Sequence, residues 1–187
     1  MTAFTTEKLD VEPWFDMELF LGVSQETRIG GDMMERFMKM WKDWLPHLTV
    51  KGIDTGKIKY LLVALDETVE QEVDKAWDSS PSNAFLFNAL AQTLCMAAVH
   101  AVIPEVEDAG CAPAPKPTAT LREALAAEGI PYSNDKDPIL SRRYAVVTHY
   151  PFKGGCEICV LQSNCPKGQG QMEAASVVLP GYERPQM

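Results

Sequence analysis

The sequence predicts a mostly α protein, an irregular helical bundle of about five helices with a short strand and a C-terminal cysteine-rich cluster loop. Two observations predict this class. Apolar residues recur at helical spacing in several segments between residues 11 and 128. Residues 143–148, RYAVVT, form the one convincing strand-like run, because they are few and rich in β-branched types. A chain of 187 residues with 46% apolar and 23% charged residues fits one soluble globular domain.

Capping residues and helix breakers give the bounds of the first two helices. The first is expected over residues 11–21, with Asp10 as its cap. The second opens at Asp32, where the pattern Asp-x-x-Glu resembles a capping box, and it stops before Pro46. Its methionines and tryptophans are expected to pack in the core.

Three further helices follow. The third is predicted over residues 55–77 from an apolar stripe at helical spacing, with an acidic side that faces solvent. The fourth begins near Pro81 and ends near Ile103; it is apolar on most sides, which indicates a buried central helix rather than a membrane span. The fifth follows Thr118 and ends at Glu128. The stripe of the third helix consists of Ile58, Leu61, Leu62, Leu65, Val69, Val73 and Ala76.

The expected domain organisation has three parts. Residues 1–10 are expected to be a flexible polar arm. Residues 11–167 are expected to form a single helical domain, with the cluster loop at residues 149–167. Residues 168–187 are expected to be a C-terminal tail.

The charge and the cysteine count restrict the partners and the location. A net charge of −9 disfavours general binding to nucleic acid and to anionic membranes, since both need clustered Lys and Arg. The first ten residues are polar and lack the apolar run of a secretory signal. Five cysteines, an odd number, without such a signal favour the reducing cytoplasm.

Three cysteines near the carboxyl end are the strongest functional signal. Cys156, Cys159 and Cys165 follow a Cys-x2-Cys-x5-Cys pattern, and Pro166 comes directly after it. Thiolates this close together are the preferred ligands of iron–sulfur clusters, Zn²⁺ and Cu(I). The spacing favours an iron–sulfur cluster. Zinc is the alternative, although it normally uses two ligand pairs, and a thiol–disulfide switch would need a βαβ context that is not predicted here.

The run from His149 to Pro166 resembles the [4Fe–4S] loop of helix-hairpin-helix DNA glycosylases, whose cysteines follow x6, x2 and x5 spacing. The same x2 and x5 triplet occurs in iron–sulfur exonucleases, whose first cysteine lies far upstream. The resemblance implies a [4Fe–4S] cluster bound by Cys156, Cys159 and Cys165. It does not extend to an activity, because the chain lacks a glycosylase hairpin with its catalytic Lys and Asp and lacks a Glu-x-Lys nuclease core.

Two residues, His149 and Cys111, are the main candidates for the fourth ligand. His149 stands at the x6 position of the glycosylase loop, and imidazole replaces thiolate in some clusters. Cys111 is the better donor and lies in a breaker-rich loop, residues 105–117, that could fold back towards the cluster. Cys95, in the apolar fourth helix, is expected to be a buried hydrophobe and is a distant third candidate for the fourth ligand. An iron left open for substrate or an external thiol is the remaining alternative.

Together these features predict a small iron–sulfur protein that acts as an electron-transfer or accessory subunit of a redox system, in anaerobic metabolism. Its partner would be a redox protein or a larger enzyme complex, and independent catalysis is not expected. A basic rim near the loop, formed by Arg142, Arg143, Lys153 and Lys167, would guide an acidic partner. The alternatives are a helical partner-binding or chaperone-like module with a purely structural cluster or zinc, and then a nucleic-acid-processing protein.

Overall fold

The computed structural model describes residues 4–134 and 138–165, and these fold into six α-helices and one four-stranded antiparallel sheet. This is an α/β fold, so the prediction of a mostly α bundle with one short strand is wrong. In order across the sheet, the strands are β1 (Thr5–Lys8), β2 (Leu48–Asp54), β3 (Lys59–Leu65) and β4 (Ala145–His149). The helices are α1 (Met17–Ser24), α2 (Gly31–Trp44), α3 (Glu67–Ser79), α4 (Pro81–Val102), α5 (Glu105–Ala109) and α6 (Ala119–Ala127).

Most of the difference between the predicted and the observed fold lies in the hairpin of β2 and β3. β3 is buried from Tyr60 to Leu65, because apolar cores cover both faces of the sheet. A strand buried on both faces shows no polar alternation, and its leucines match helical spacing by coincidence. Asp66 then caps α3 by accepting a hydrogen bond from the Thr68 backbone N–H at 2.9 Å. The helix expected over residues 55–77 is therefore a strand followed by a helix.

The sheet separates two apolar cores. On one face, α1 to α4 contribute side chains such as Trp44 and Leu94 to the larger core. On the other face, α6 packs Leu121 against the smaller core. Alternate strand positions point to opposite faces, so that Val63 lies in the larger core and Leu62 in the smaller one.

Helix α4 runs through the larger core and buries eleven side chains. Ser80 caps it by accepting a hydrogen bond from the Asn83 N–H, and Pro81 occupies its first turn. By length and composition alone the helix could cross a bilayer, but more than half of its most apolar window is buried inside the domain. The prediction of a buried central helix is confirmed.

The bounds of the other elements agree in part with the expectations. Helices α2 and α6 and strand β4 lie close to their predicted positions. Helix α1 starts at Met17 rather than at residue 11, because Asp16 caps it by accepting a hydrogen bond from the Leu19 N–H at 3.0 Å. Strand β1 lies within residues 1–10, which were expected to be a flexible arm. Its four side chains are all exposed, so the sequence pattern did not predict that this strand pairs with β2. The tail predicted at residues 168–187 lies outside the described residues.

Candidate metal centre

The cysteine loop, residues 150–165, follows β4 and contains two short 3₁₀ turns, Cys156–Ile158 and Gln162–Asn164. The first turn closes when the Cys159 N–H donates to the Cys156 carbonyl at 3.2 Å. The two turns contact each other. The backbone therefore places all three cysteines of the motif in one small unit.

This loop has almost no hydrophobic support of its own. Tyr150 and Phe152, at its start, pack against the larger core. From residue 151 to residue 165 every side chain is exposed or half-buried, and Val160 and Leu161 are 39% and 40% exposed. Apolar burial therefore does not fix the part of the loop that carries the cysteines. Its shape depends on hydrogen bonds and on what its side chains bind.

Gly154 permits the sharp entry into the first turn. Its φ angle is +139°, a value that side-chain-bearing residues rarely adopt. A Cβ at this position would overlap the carboxylate of Glu157. That carboxylate accepts a hydrogen bond from the Gly155 N–H at 2.9 Å and so holds the turn that precedes Cys156.

An upstream segment, residues 109–114, packs against the cysteine loop. The Val160 N–H donates to the Ala114 carbonyl at 3.0 Å. In return, the Ala114 N–H donates to Cys159 Sγ at 3.4 Å. Hydrogen bonds from backbone N–H groups to sulfur are a common feature of metal-bound cysteines. Cys111, which is half-buried, lies in this same segment.

His149 lies at the end of β4 on the face of the smaller core. Its ring packs against Tyr60 at a tilt of 35°, with 5.4 Å between the ring centroids. Its Nδ1 atom is buried and has no hydrogen-bond partner among the described residues. Burial lowers the pKa of His149, and the positive charge of Lys153 lowers it further. The folded chain therefore favours a neutral imidazole at this position.

Cys95 has no access to the loop. It lies in α4, 2% exposed, and its Sγ donates to the Tyr144 carbonyl at 3.5 Å. Burial raises the pKa of this thiol to about 12, although a backbone hydrogen bond involving Leu65 acts in the opposite direction. The expectation that Cys95 is a buried hydrophobe is confirmed.

The sulfur atoms of the loop are not gathered around a common point. Within residues 4–134 and 138–165, no group of three or more His, Cys, Asp or Glu side chains is positioned to hold a metal ion. The donor chemistry nevertheless fits a soft metal centre, since four cysteines occupy two adjoining backbone segments. Binding would require Cys111, Cys156, Cys159 and Cys165 to turn towards one another. Such movement is ordinary for sites in which metal binding and local folding are coupled.

Two arginines of the expected basic rim form ion pairs. Arg142 pairs with Glu70 at 3.4 Å, and Arg143 pairs with Asp74 at 2.7 Å. Both carboxylates belong to α3, so the acidic side of that helix is partly paired rather than simply solvated. Lys167 lies outside the described residues. The rim therefore presents less unpaired positive charge to a partner than the sequence indicated.

A His–Asp pair that the sequence did not reveal joins the ends of β2 and β3. His47 Nδ1 and Asp66 Oδ2 lie 2.7 Å apart, and the Asp66 N–H donates to the His47 carbonyl at 3.1 Å. Burial alone would raise the pKa of Asp66, but hydrogen bonds from His47 and Thr68 outweigh it and lower the pKa overall. The pair lies at the open end of the hairpin, and Asp66 also caps α3. No motif links two residues that are 19 positions apart, so only the strand register brings them together.

The interpretation of the cysteine loop rests on the residues of this chain. The local resemblance of residues 149–166 to a cluster loop is not extended by any wider similarity. No protein-family model matches the chain, and comparison with curated proteins and with solved structures gave no match.

Proposed function

We propose that this is a small iron–sulfur protein that holds a [4Fe–4S] cluster in its cysteine loop and acts as an electron-transfer or accessory subunit of a cytoplasmic redox system. Cys156, Cys159 and Cys165 would be ligands. A bound cluster supplies one-electron redox chemistry. The three cysteines would hold the cluster, and the Ala114 N–H would donate a hydrogen bond to the Cys159 ligand, a contact that helps to set the potential of such a centre.

The main support for the proposal is that the cysteine loop is rich in thiols but has no buried side chain between residues 151 and 165. None of the residues from 151 to 165 is buried, although the loop contains three cysteines and two ordered turns. A segment without its own core needs another source of stability, and metal ligation supplies folding free energy directly. The N–H of Ala114 already donates to Cys159 Sγ, which is the type of contact that stabilises a metal-bound thiolate.

Zinc in a purely structural role is the second candidate, with the domain serving as a partner-binding module. The same lack of buried side chains favours it, because structural zinc stabilises small loops that cannot fold on apolar contacts. Large apolar side chains remain exposed on the body and would contact a protein partner. Trp14, Trp77 and Phe85 are 71%, 44% and 48% exposed.

Anaerobic purification followed by iron, sulfide and zinc analysis tests both candidates. We expect brown protein that contains iron and sulfide in equal amounts and whose visible absorbance falls on reduction. Cys159→Ala should abolish this absorbance. Cys95→Ala is the matched control, because it removes a thiol that lies in the core and should leave the absorbance unchanged. Zinc without iron would favour the structural role, and protein that binds neither metal after reconstitution would overturn both candidates.

A further inference from the structure

We infer that Cys111 is the fourth ligand, so that the bound metal joins the cysteine loop to the segment that follows α5. This inference rests on the proposed metal centre and applies to a cluster and to zinc alike. It removes His149 from the ligand set. It also makes the metal a cross-link between two distant parts of the chain rather than a clip within one loop.

The residues on both sides of Cys111 lie close to the cysteine loop. On its N-terminal side, the Cβ of Ala109 lies 3.8 Å from where a Cβ would stand on Gly155, the residue before Cys156. On its C-terminal side, Ala114 exchanges hydrogen bonds with Cys159 Sγ and with the next residue of the loop. Cys111 is two residues from Ala109, and an extended chain spans about 3.3–3.6 Å per residue. The Cα of Cys111 therefore lies within about 7 Å of the Cα of Ala109, which is near the residue before the chelating turn.

The segment that carries Cys111 is attached to the folded body. Val106, in α5, is fully buried in the larger core. Beyond Cys111, the carbonyl of Pro113 accepts a buried hydrogen bond from Thr148 Oγ1 at 2.9 Å. These two anchors hold the backbone on both sides of Cys111 against the folded body.

Strand alternation separates His149 from this segment. The side chain of Thr148 reaches Pro113, so the segment with Cys111 lies on the Thr148 side of β4. Successive side chains of a strand point to opposite faces, which directs His149 to the other side. There it packs against Tyr60, its cross-strand neighbour. Ligation by His149 would require the ring to leave this contact and cross the strand.

Metal competition with matched variants tests the inference. Zn²⁺ affinity is measured against a chelator, and cluster content is measured after anaerobic reconstitution with Fe²⁺ and sulfide. Because even outer-shell changes cost about 10–100-fold in metal affinity, we expect Cys111→Ser to lose at least that much. His149→Gln should bind as the natural chain does. Weaker binding by His149→Gln with unchanged binding by Cys111→Ser would overturn the inference but leave the metal centre in place. If the natural chain binds no metal, the proposed function itself is wrong.

Alkylation of the unaltered protein gives a readout that does not depend on folding of a variant. The metal-loaded and chelator-treated forms are treated with iodoacetamide and the modified cysteines are located by mass spectrometry. We expect Cys111 to be protected by metal together with Cys156, Cys159 and Cys165. Cys95, buried in α4, should stay unmodified in both forms. Equal modification of Cys111 with and without metal, while the other three are protected, would refute its role as a ligand.

Discussion

Helix α4 and the cysteine loop show two different ways in which this chain holds a segment in place. Helix α4 buries eleven side chains, and each fully buried leucine contributes about 1.5–3 kcal/mol. The loop buries none between residues 151 and 165, and its turn hydrogen bonds contribute about 0.5–1.5 kcal/mol each. Apolar burial is therefore a major source of stability in the body. The loop lacks this source of stability, and the proposed metal centre would supply another.

The largest expected effect on stability comes from a buried side chain of α4. Leu94 is 0% exposed in the larger core, so Leu94→Ala leaves a cavity and should lower the free energy of unfolding by about 2–5 kcal/mol. Gln92, exposed on the same helix, is the control, and Gln92→Ala should change stability by about 0.5 kcal/mol or less. Urea unfolding followed by circular dichroism measures both. Equal effects of the two changes would contradict the assignment of α4 to the core.

The next effect should be confined to the loop. Gly154→Ala forces a side chain into a φ of +139° and against Glu157, which should cost about 1–3 kcal/mol in the ordered loop. We expect metal affinity to fall about tenfold or more, with no change in the unfolding of the metal-free body. Gly155→Ala meets only ordinary contacts and is the matched control. Chelator competition and limited proteolysis of the loop compare the two, and a loss of body stability in Gly154→Ala would show that loop and body are not independent.

A smaller effect is expected where the hairpin meets α3. Asp66→Ala removes a helix cap and should cost about 1 kcal/mol. The pKa of Asp66 is lowered from 3.8 in the folded state, so its charge stabilises the fold above that pH and stops doing so as the pH falls through the folded value. The stability difference between the natural chain and Asp66→Ala should therefore shrink below about pH 4. Urea midpoints measured across this range test the prediction, and a constant difference would argue against it.

The smallest effect is expected at His149. Its pKa lies below the ordinary 6.5, so the unfolded chain takes up a proton first and stability rises with pH up to that value. His149→Phe keeps the packing against Tyr60, removes the unpaired Nδ1 and should flatten this rise. At pH 7 the titration of His149 itself should contribute about 0.5 kcal/mol or less to the stability difference. Thermal unfolding at several pH values measures the slope, and an unchanged slope would mean that another group titrates.

Elements with local start and stop signals were predictable from the sequence. Ser80 and Pro81 open α4, and Thr118 caps α6 by accepting a hydrogen bond from the Leu121 N–H. β4 was found from its β-branched run. Such signals act between residues that are neighbours in the chain, and they require no knowledge of the fold.

The hairpin was not predictable in the same way. β3 is apolar at every position from Tyr60 to Leu65, and a run of that kind is compatible with a helix until its partner strands are known. β1 is exposed along its length and has no periodicity at all. What makes each of them a strand is pairing with β2, which depends on residues distant in sequence.

The same division holds for the candidate site. The spacing of Cys156, Cys159 and Cys165 is a property of the sequence alone, because a chelating turn is made by neighbouring residues. The approach of the Cys111 segment, the turning of His149 towards Tyr60 and the pairing of the arginines with α3 were decided only by the tertiary structure. Each depends on strand order and side-chain direction, which a single sequence does not encode in any local pattern.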